Sequence, residues 1–314
     1  MTYNNNETFA NGWLAFELNV LRRLKFASVA IPLTGEPDLA VQLKRWGVRV
    51  ASNDPFIWSF TKATALVENS SVRLDEDDFN VVLQDAYAPR DRLDNIALTK
   101  WFNETDAWWF DNVRFNAERL DNPHKRALAL TAGMMVGDYV LSFDKETWQM
   151  REPLSLPNVF RQMLDSLPYP YDNSLRNLST NQDARSFLAE RQHTDLLFLR
   201  LPAPVIQSEQ KRPLLSSWRE EWLQGGDDFW ANFDRERSGR LGGPVQSKQQ
   251  YLGFVEELLR TASHLPSWAI AHTENGFISA DELVETIGGI RKVTAVYTKD
   301  FSDLLGVKAS IVTA

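Results

Sequence analysis

The chain has 314 residues, 43% of them hydrophobic, and a net charge of −8, which provides for a packed core but disfavours a DNA contact built on gathered Lys and Arg. It has no cysteine, excluding disulfides, thiolate metal sites and cysteine nucleophiles, and its four histidines, His124, His193, His264 and His272, lack ligand spacing, so no metal is expected. No apolar run reaches the roughly 18 residues of a membrane span, and Met1 to Ala10 is polar where a secretory leader is apolar, so a cytoplasmic protein with no membrane partner is expected.

In chain order, Ala27 to Leu33 (ASVAIPL) is short, apolar and β-branched and reads as a strand. Asp38 to Trp46 has helical character, and Val48 to Ser52 (VRVAS) reads as a second strand. Ser59 to Asn69 is spaced as a helix, and Asn80 to Gln84 (NVVLQ) is expected to be a third short strand. Between them Asp75 to Asp78 is an acidic run, read as a solvated turn. These elements predict a parallel α/β sheet in which the opening part of the chain is half of a nucleotide-binding fold.

From Asp91 to about Ser155 the pattern changes to long helical segments with paired aromatics, Trp101, Phe102, Trp108, Trp109 and Phe110, read as a helical insertion. Trp108, Trp109, Trp218 and Trp222 are expected to pack in a core or between helices rather than to stack on bases. Strand character returns at Leu196 to Leu201 (LLFLRL). After a polar, glycine-containing stretch, Gln224 to Gln250, a helix is predicted at Tyr251 to Ser263. Strands follow at Trp268 to His272, Lys292 to Tyr297 and Lys308 to Val312. Ser279-Ala280-Asp281-Glu282 has the form of a capping box opening a helix between the first two of these. The division predicted is an α/β domain made of residues 1–90 and 178–314, interrupted by a mainly helical insertion at 91–177.

The usual catalytic signatures are absent: there is no G-x-G-x-x-G, P-loop, G-x-S-x-G elbow or H-E-x-x-H. Asp54 directly follows the second predicted strand in Val50-Ala51-Ser52-Asn53-Asp54. An acid at that strand end can accept hydrogen bonds from both ribose hydroxyls of a nucleotide. Asp and Asn there also serve as helix caps and turn formers, and the local sequence leaves both roles open.

Several blocks read together carry a resemblance. Leu43-Lys44-Arg45-Trp46-Gly47-Val48-Arg49-Val50-Ala51-Ser52-Asn53-Asp54 is followed by Trp101-Phe102-Asn103-Glu104 and Phe110-Asp111-Asn112-Val113-Arg114. Asn181-Gln182-Asp183-Ala184 precedes Thr194-Asp195-Leu196-Leu197-Phe198-Leu199, and Trp268-Ala269-Ile270-Ala271-His272-Thr273-Glu274-Asn275-Gly276 comes last. In this order the blocks resemble the Dam-like class of adenine-specific DNA methyltransferases, over roughly residues 10 to 313. The resemblance implies a Rossmann-like methyltransferase sheet with a helical, target-recognition-like insertion, and S-adenosylmethionine as cofactor. It also implies that Asp54 would hold the cofactor ribose, that Asp183 would recognise its adenine, and that Gly35 lies in the glycine-rich cofactor loop.

Two loops depart from the family pattern. Where the family has D-P-P-Y, this chain has Arg200-Leu201-Pro202-Ala203. The family's carboxylate and the adjacent backbone carbonyl accept hydrogen bonds from the adenine amino group, and its aromatic stacks on the flipped base. Arg200 has no acceptor, and its fixed positive charge opposes a cationic sulfonium; Ala203 has no ring. Asp195, in the same strand, lies at an odd offset and points to the opposite face. In the cofactor loop, Ile31-Pro32-Leu33-Thr34-Gly35-Glu36-Pro37 keeps only Gly35, and the lysine of the family's N-terminal "G-x-K" is missing near Asn11-Gly12-Trp13. The expectation is a degenerate, catalytically inactive homologue acting as an interaction or structural module, with a protein partner. The alternatives are an active adenine methyltransferase and a non-catalytic binder of an adenine nucleoside.

Overall fold

A computed structural model describes residues 11–84, 92–143, 146–147, 155–206, 214–274, 277–302 and 307–314. The chain divides into two compact units. The first comprises Met1–Pro55, Asn173–Lys211 and Trp230–Ala314; the second comprises Phe56–Asp172 and Arg212–Phe229.

The first unit is built on the strands β1 (Ser28–Ile31), β2 (Arg49–Asn53), β3 (Leu178–Thr180), β4 (Leu196–Arg200), β5 (Val205–Ile206), β6 (Pro244–Val245), β7 (Ser267–Glu274), β8 (Ala295–Phe301) and β9 (Val307–Thr313). Seven of them form one sheet in the order β3-β2-β1-β4-β7-β9-β8, while β5 and β6 pair separately. The pairs from β3 through β7 are all parallel, and β9 runs antiparallel to both β7 and β8. The architecture is therefore α/β, with a mostly parallel sheet of the Rossmann-like kind. β1 is buried along its whole length, and β4 up to its last residue. Helices cover both faces of a parallel sheet, so its central strands read as unbroken apolar runs, which is why SVAI and LLFL are legible as strands.

Helices α1 (Asn11–Leu21), α2 (Asp38–Arg45), α8 (Ala184–Ala189), α10 (Trp230–Arg237), α11 (Lys248–Thr261) and α12 (Ala280–Gly288) belong to this unit. Phe187 and Leu188 of α8, Val255, Leu258 and Leu259 of α11, and Leu283 and Ile287 of α12 share a core with Ala30, Leu197, Leu199, Trp268 and Ile270 on one sheet face. Alternation along the strands sends Ile31, Phe198 and Arg200 to the opposite face, where Leu39 and Ala40 of α2 line the same crevice. There α1 packs Trp13 and Phe16 against Phe301 at ring separations of 6.1 and 6.4 Å. The predicted capping box at Ser279 is formed, its hydroxyl accepting from the amide of Glu282 while that carboxylate accepts from the amide of Ser279.

The second unit is helical: α3 (Ile57–Ala63), a π-helical turn (Thr64–Glu68), α4 (Glu76–Val82), a 3-10 turn (Ile96–Lys100), α5 (Glu104–Ala117), α6 (Pro123–Leu141), α7 (Leu156–Ser166) and α9 (Leu214–Gln224). Trp218 and Trp222 of α9 are fully buried beside Phe102, Phe110 and Phe160, in a core that also takes in Trp58, Val82, Met134 and Val136. Their indoles sit where α6 carries Gly133 and Gly137, since a Cβ at either glycine would overlap the facing ring. The Trp222 indole N–H donates to the Phe110 carbonyl at 2.8 Å, satisfying its polar atom inside the core. Trp108 and Trp109 are half-buried; Trp109 meets Phe110 edge to face at 4.9 Å.

Three expectations are corrected. Asn80 to Gln84 is not a strand: Glu76–Val82 is the helix α4, and the third strand of the sheet is Leu178–Thr180, much later in the sequence. The acidic run Asp75 to Asp78 is not a plain turn but the start of that helix. Asp75 and Asp78 form a reciprocal capping box, and the acids of the first turn face the positive end of the helix dipole. The unit boundary also shifts, because the helical unit begins at 56 and takes back residues 212–229. Trp58, Trp218 and Trp222 bury themselves among its helices, and that burial outweighs their sequence neighbourhood.

Candidate functional site

The strand order turns between β1 and β4, so the loops leaving the C-terminal ends of β1, β2, β3 and β4 gather at one edge of the sheet. That is where open α/β sheets bind ligands. Every residue singled out from the sequence as a site candidate stands on a segment leaving this edge or entering the next helix: Gly35 after β1, Asp54 after β2, Asp183 after β3, and Arg200-Leu201-Pro202-Ala203 at and beyond the end of β4.

Asn53 ties three of these loops together. Its amide nitrogen donates to the carbonyls of Pro32 and Gln182, both at 3.0 Å, and its oxygen accepts from the Thr180 hydroxyl at 2.8 Å and the Gln182 amide at 3.1 Å. Thr34 adds a second tie, its amide and hydroxyl both donating to the Asn53 carbonyl at 3.0 Å. Asp54 is buried, and its carboxylate accepts the backbone N–H of Gly35 at 2.8 Å. Gly35 has φ +56°, a left-handed conformation costly for a residue with a Cβ and open to glycine. Gly35 and Asp54 are thus brought into direct contact.

Asp183 is placed differently. One carboxylate oxygen caps α8, accepting from the amides of Arg185 at 3.1 Å and Ser186 at 3.2 Å; the other pairs with Arg240 at 2.8 Å. Beside it a small cleft of about 20 Å³ is floored by Leu241, Phe254 and Leu258 and edged by Arg185, Arg240 and Glu257.

At the end of β4, Arg200 turns its guanidinium onto Glu17 of α1. Nε donates to Oε1 at 2.9 Å and Nη2 to Oε2 at 2.8 Å. The Glu17 side chain is 0% exposed and that of Arg200 14%. The guanidinium closes one side of a crevice that leaves no space for a water molecule, lined otherwise by Ile31, Leu33, Thr34, Glu36, Leu39, Ala40 and Phe198. The rest of the loop is pinned. Leu201 donates its amide to the Ala271 carbonyl at 2.9 Å, and the Tyr251 hydroxyl of α11 donates to the Pro202 carbonyl at 2.8 Å. Burial pushes the Tyr251 phenol well above its ordinary range, so it stays a neutral donor. Ala203 is exposed.

Asp195 lies at the other end of β4, away from this edge. Its Oδ2 accepts from the amides of Ala27 and Ser28 at 2.8 and 2.9 Å and from the Ser28 hydroxyl at 2.9 Å, fastening β1 to β4 at their starts. His272 in β7 is buried, with Nε2 3.1 Å from the Ile278 carbonyl, and burial holds its pKa below the usual value. The last residues of the final resemblance block, 275–276, and the N-terminal residues 1–10 lie outside the described residues.

Glu17, Asn53, Arg240 and Tyr251 were not singled out from the sequence. Asn53 stood within the quoted Asn53-Asp54 block and could have been found there. Glu17, Arg240 and Tyr251 gave no local signal, because each meets its partner only across the fold. Among the described residues there is no group of three or more His, Cys, Asp or Glu placed to hold a metal, and no helix is long and apolar enough to cross a membrane. No protein-family model matches the chain, and a comparison with curated proteins finds no match.

Proposed function

We propose that this chain is a degenerate relative of the adenine-specific DNA methyltransferases, in which the α/β unit is kept as a scaffold for contact with a protein partner and the methyl-transfer site is closed. The observation that carries the reading is the ion pair of Arg200 with Glu17. A cation stands at the end of the central strand β4, where the resemblance calls for an acceptor of the adenine amino group, and it is neutralised by a buried carboxylate of the same chain.

The sheet supports the fold part of this reading. Its order runs β3-β2-β1-β4-β7 as in a dinucleotide-binding sheet, with a reversed last strand slotted between β7 and β8. The residues present do not fit that cofactor. A guanidinium lines the crevice beside the β1 loop, Asp54 has an oxygen committed to Gly35, and both Asp183 oxygens are engaged by α8 and Arg240. The net charge of −8 also disfavours an unaided DNA contact.

Calorimetric titration with S-adenosylmethionine and S-adenosylhomocysteine, paired with an assay for N6-methyladenine on duplex DNA, tests the reading. The expected result is no binding heat at millimolar ligand and no methylated adenine. Saturable micromolar binding of the nucleoside without methylation would replace it with a non-catalytic sensor, and methylated adenine would restore the active enzyme.

A further inference from the structure

Glu17 is fully buried, and a carboxylate out of water must find its counter-charge and its hydrogen-bond donors locally. Both of its oxygens are met by one residue, Arg200, through the parallel two-point geometry in which a guanidinium binds a carboxylate. The arginine reaches this position from the end of a central strand, and the crevice it closes is lined by the apolar side chains of Ile31, Leu33, Leu39 and Phe198 together with Thr34 and the carboxylate-bearing Glu36. A planar cation is thus met on one side by a buried anion, in a mainly apolar crevice with Thr34 and Glu36 at its wall, which is how a small-molecule site holds an organic cation.

We propose that Arg200 is a resident ligand: its guanidinium occupies a cation site whose acceptor is Glu17, and so keeps the crevice shut. Removing the guanidinium leaves a buried carboxylate facing a vacated pocket, and that pocket takes a small planar organic cation with two parallel N–H donors. The inference uses the ion pair and the crevice alone and does not depend on the methyltransferase reading, whose test is the methyl donor.

The experiment is thermal unfolding of the full chain as Arg200→Ala, with tens of millimolar guanidinium chloride, below denaturing levels, against sodium chloride at equal ionic strength. Arg200→Ala is expected to melt below the unsubstituted protein. Guanidinium should raise its Tm by about 2 °C over sodium, while the unsubstituted protein shows no rise. The double variant Glu17→Gln/Arg200→Ala is expected to lose the response, which identifies Glu17 as the acceptor. Equal melting of Arg200→Ala in the two salts, or an undiminished response in the double variant, overturns the proposal. If Arg200→Ala does not stay folded, refolding from urea reads the same site: recovery that requires guanidinium supports it, and recovery in neither salt, or equally in both, overturns it.

Discussion

The carboxylate of Asp54 accepts the backbone N–H of Gly35 at 2.8 Å, so the loops leaving β1 and β2 close on each other at the sheet edge. The acid that a nucleotide-binding fold would offer to a ribose here holds the protein's own backbone. Asp54→Ala should leave the Gly35 amide without this acceptor and cost about 1–3 kcal/mol. Urea unfolding should show a lower midpoint with an unchanged slope, and Asp54→Asn should retain part of the loss through its amide oxygen.

Gly137 and Gly253 lie in helices but face opposite fates. A Cβ at Gly137 would overlap the Trp218 ring, whereas a Cβ at Gly253 in α11 meets nothing within 4 Å. Gly137→Ala is expected to destabilise by about 1–3 kcal/mol through overpacking and to disturb the near-ultraviolet signal of the tryptophans. Gly253→Ala should instead stabilise by up to about 1 kcal/mol, the helix-propensity gain over glycine. Melting temperatures moving in opposite directions would confirm both placements.

Stability should fall in two acid steps with separable origins. Burial lowers the His272 pKa, so the unfolded chain binds its proton first. The contribution is fully present above 6.5, the ordinary value, and is lost as pH drops below it towards the folded value. Asp195 follows lower down. Hydrogen bonds from Ala27 and Ser28, with the charge of Arg49, depress its pKa; its contribution is present above 3.8 and is lost as pH falls through the folded value. The pKa values of Asp75, Glu76, Glu282 and Asp300 are lowered as well, so urea midpoints measured against pH should show a smaller lower step in Asp195→Asn and an unchanged upper one.

The Tyr251 hydroxyl holds the Pro202 carbonyl from across the fold, at a sequence separation of 49. Tyr251→Phe removes that donor with little change in packing and should cost about 1 kcal/mol. The amide of Leu201, bonded to Ala271, should stay protected from hydrogen exchange, which confines the loss to the Pro202 carbonyl.

Local pattern carried the first, second, fourth and seventh strands and the helices α2, α11 and α12, because strands buried on both faces are apolar runs and capping boxes act within one turn. Asn80 to Gln84 misled for the opposite reason. Its apolar residues sit equally well in a short helix, and what decided the matter was the cap at Asp75 and the helical core that receives Val82. The three-residue β3 was illegible, since its position comes from pairing with β2, more than a hundred residues earlier in the chain.

By itself the sequence determined the α/β class and the identity of the residues at the sheet edge, properties of residue type and short-range order. Only the tertiary structure decided what those residues do. Glu17 and Arg200 stand 183 positions apart, Asp183 meets Arg240 through a loop and a helix, and Trp218 seats on Gly137 from outside the expected insertion. Such pairings are set by which long-range burial satisfies the most apolar surface and leaves no buried charge alone, a condition on the whole fold that no local stretch of residues contains.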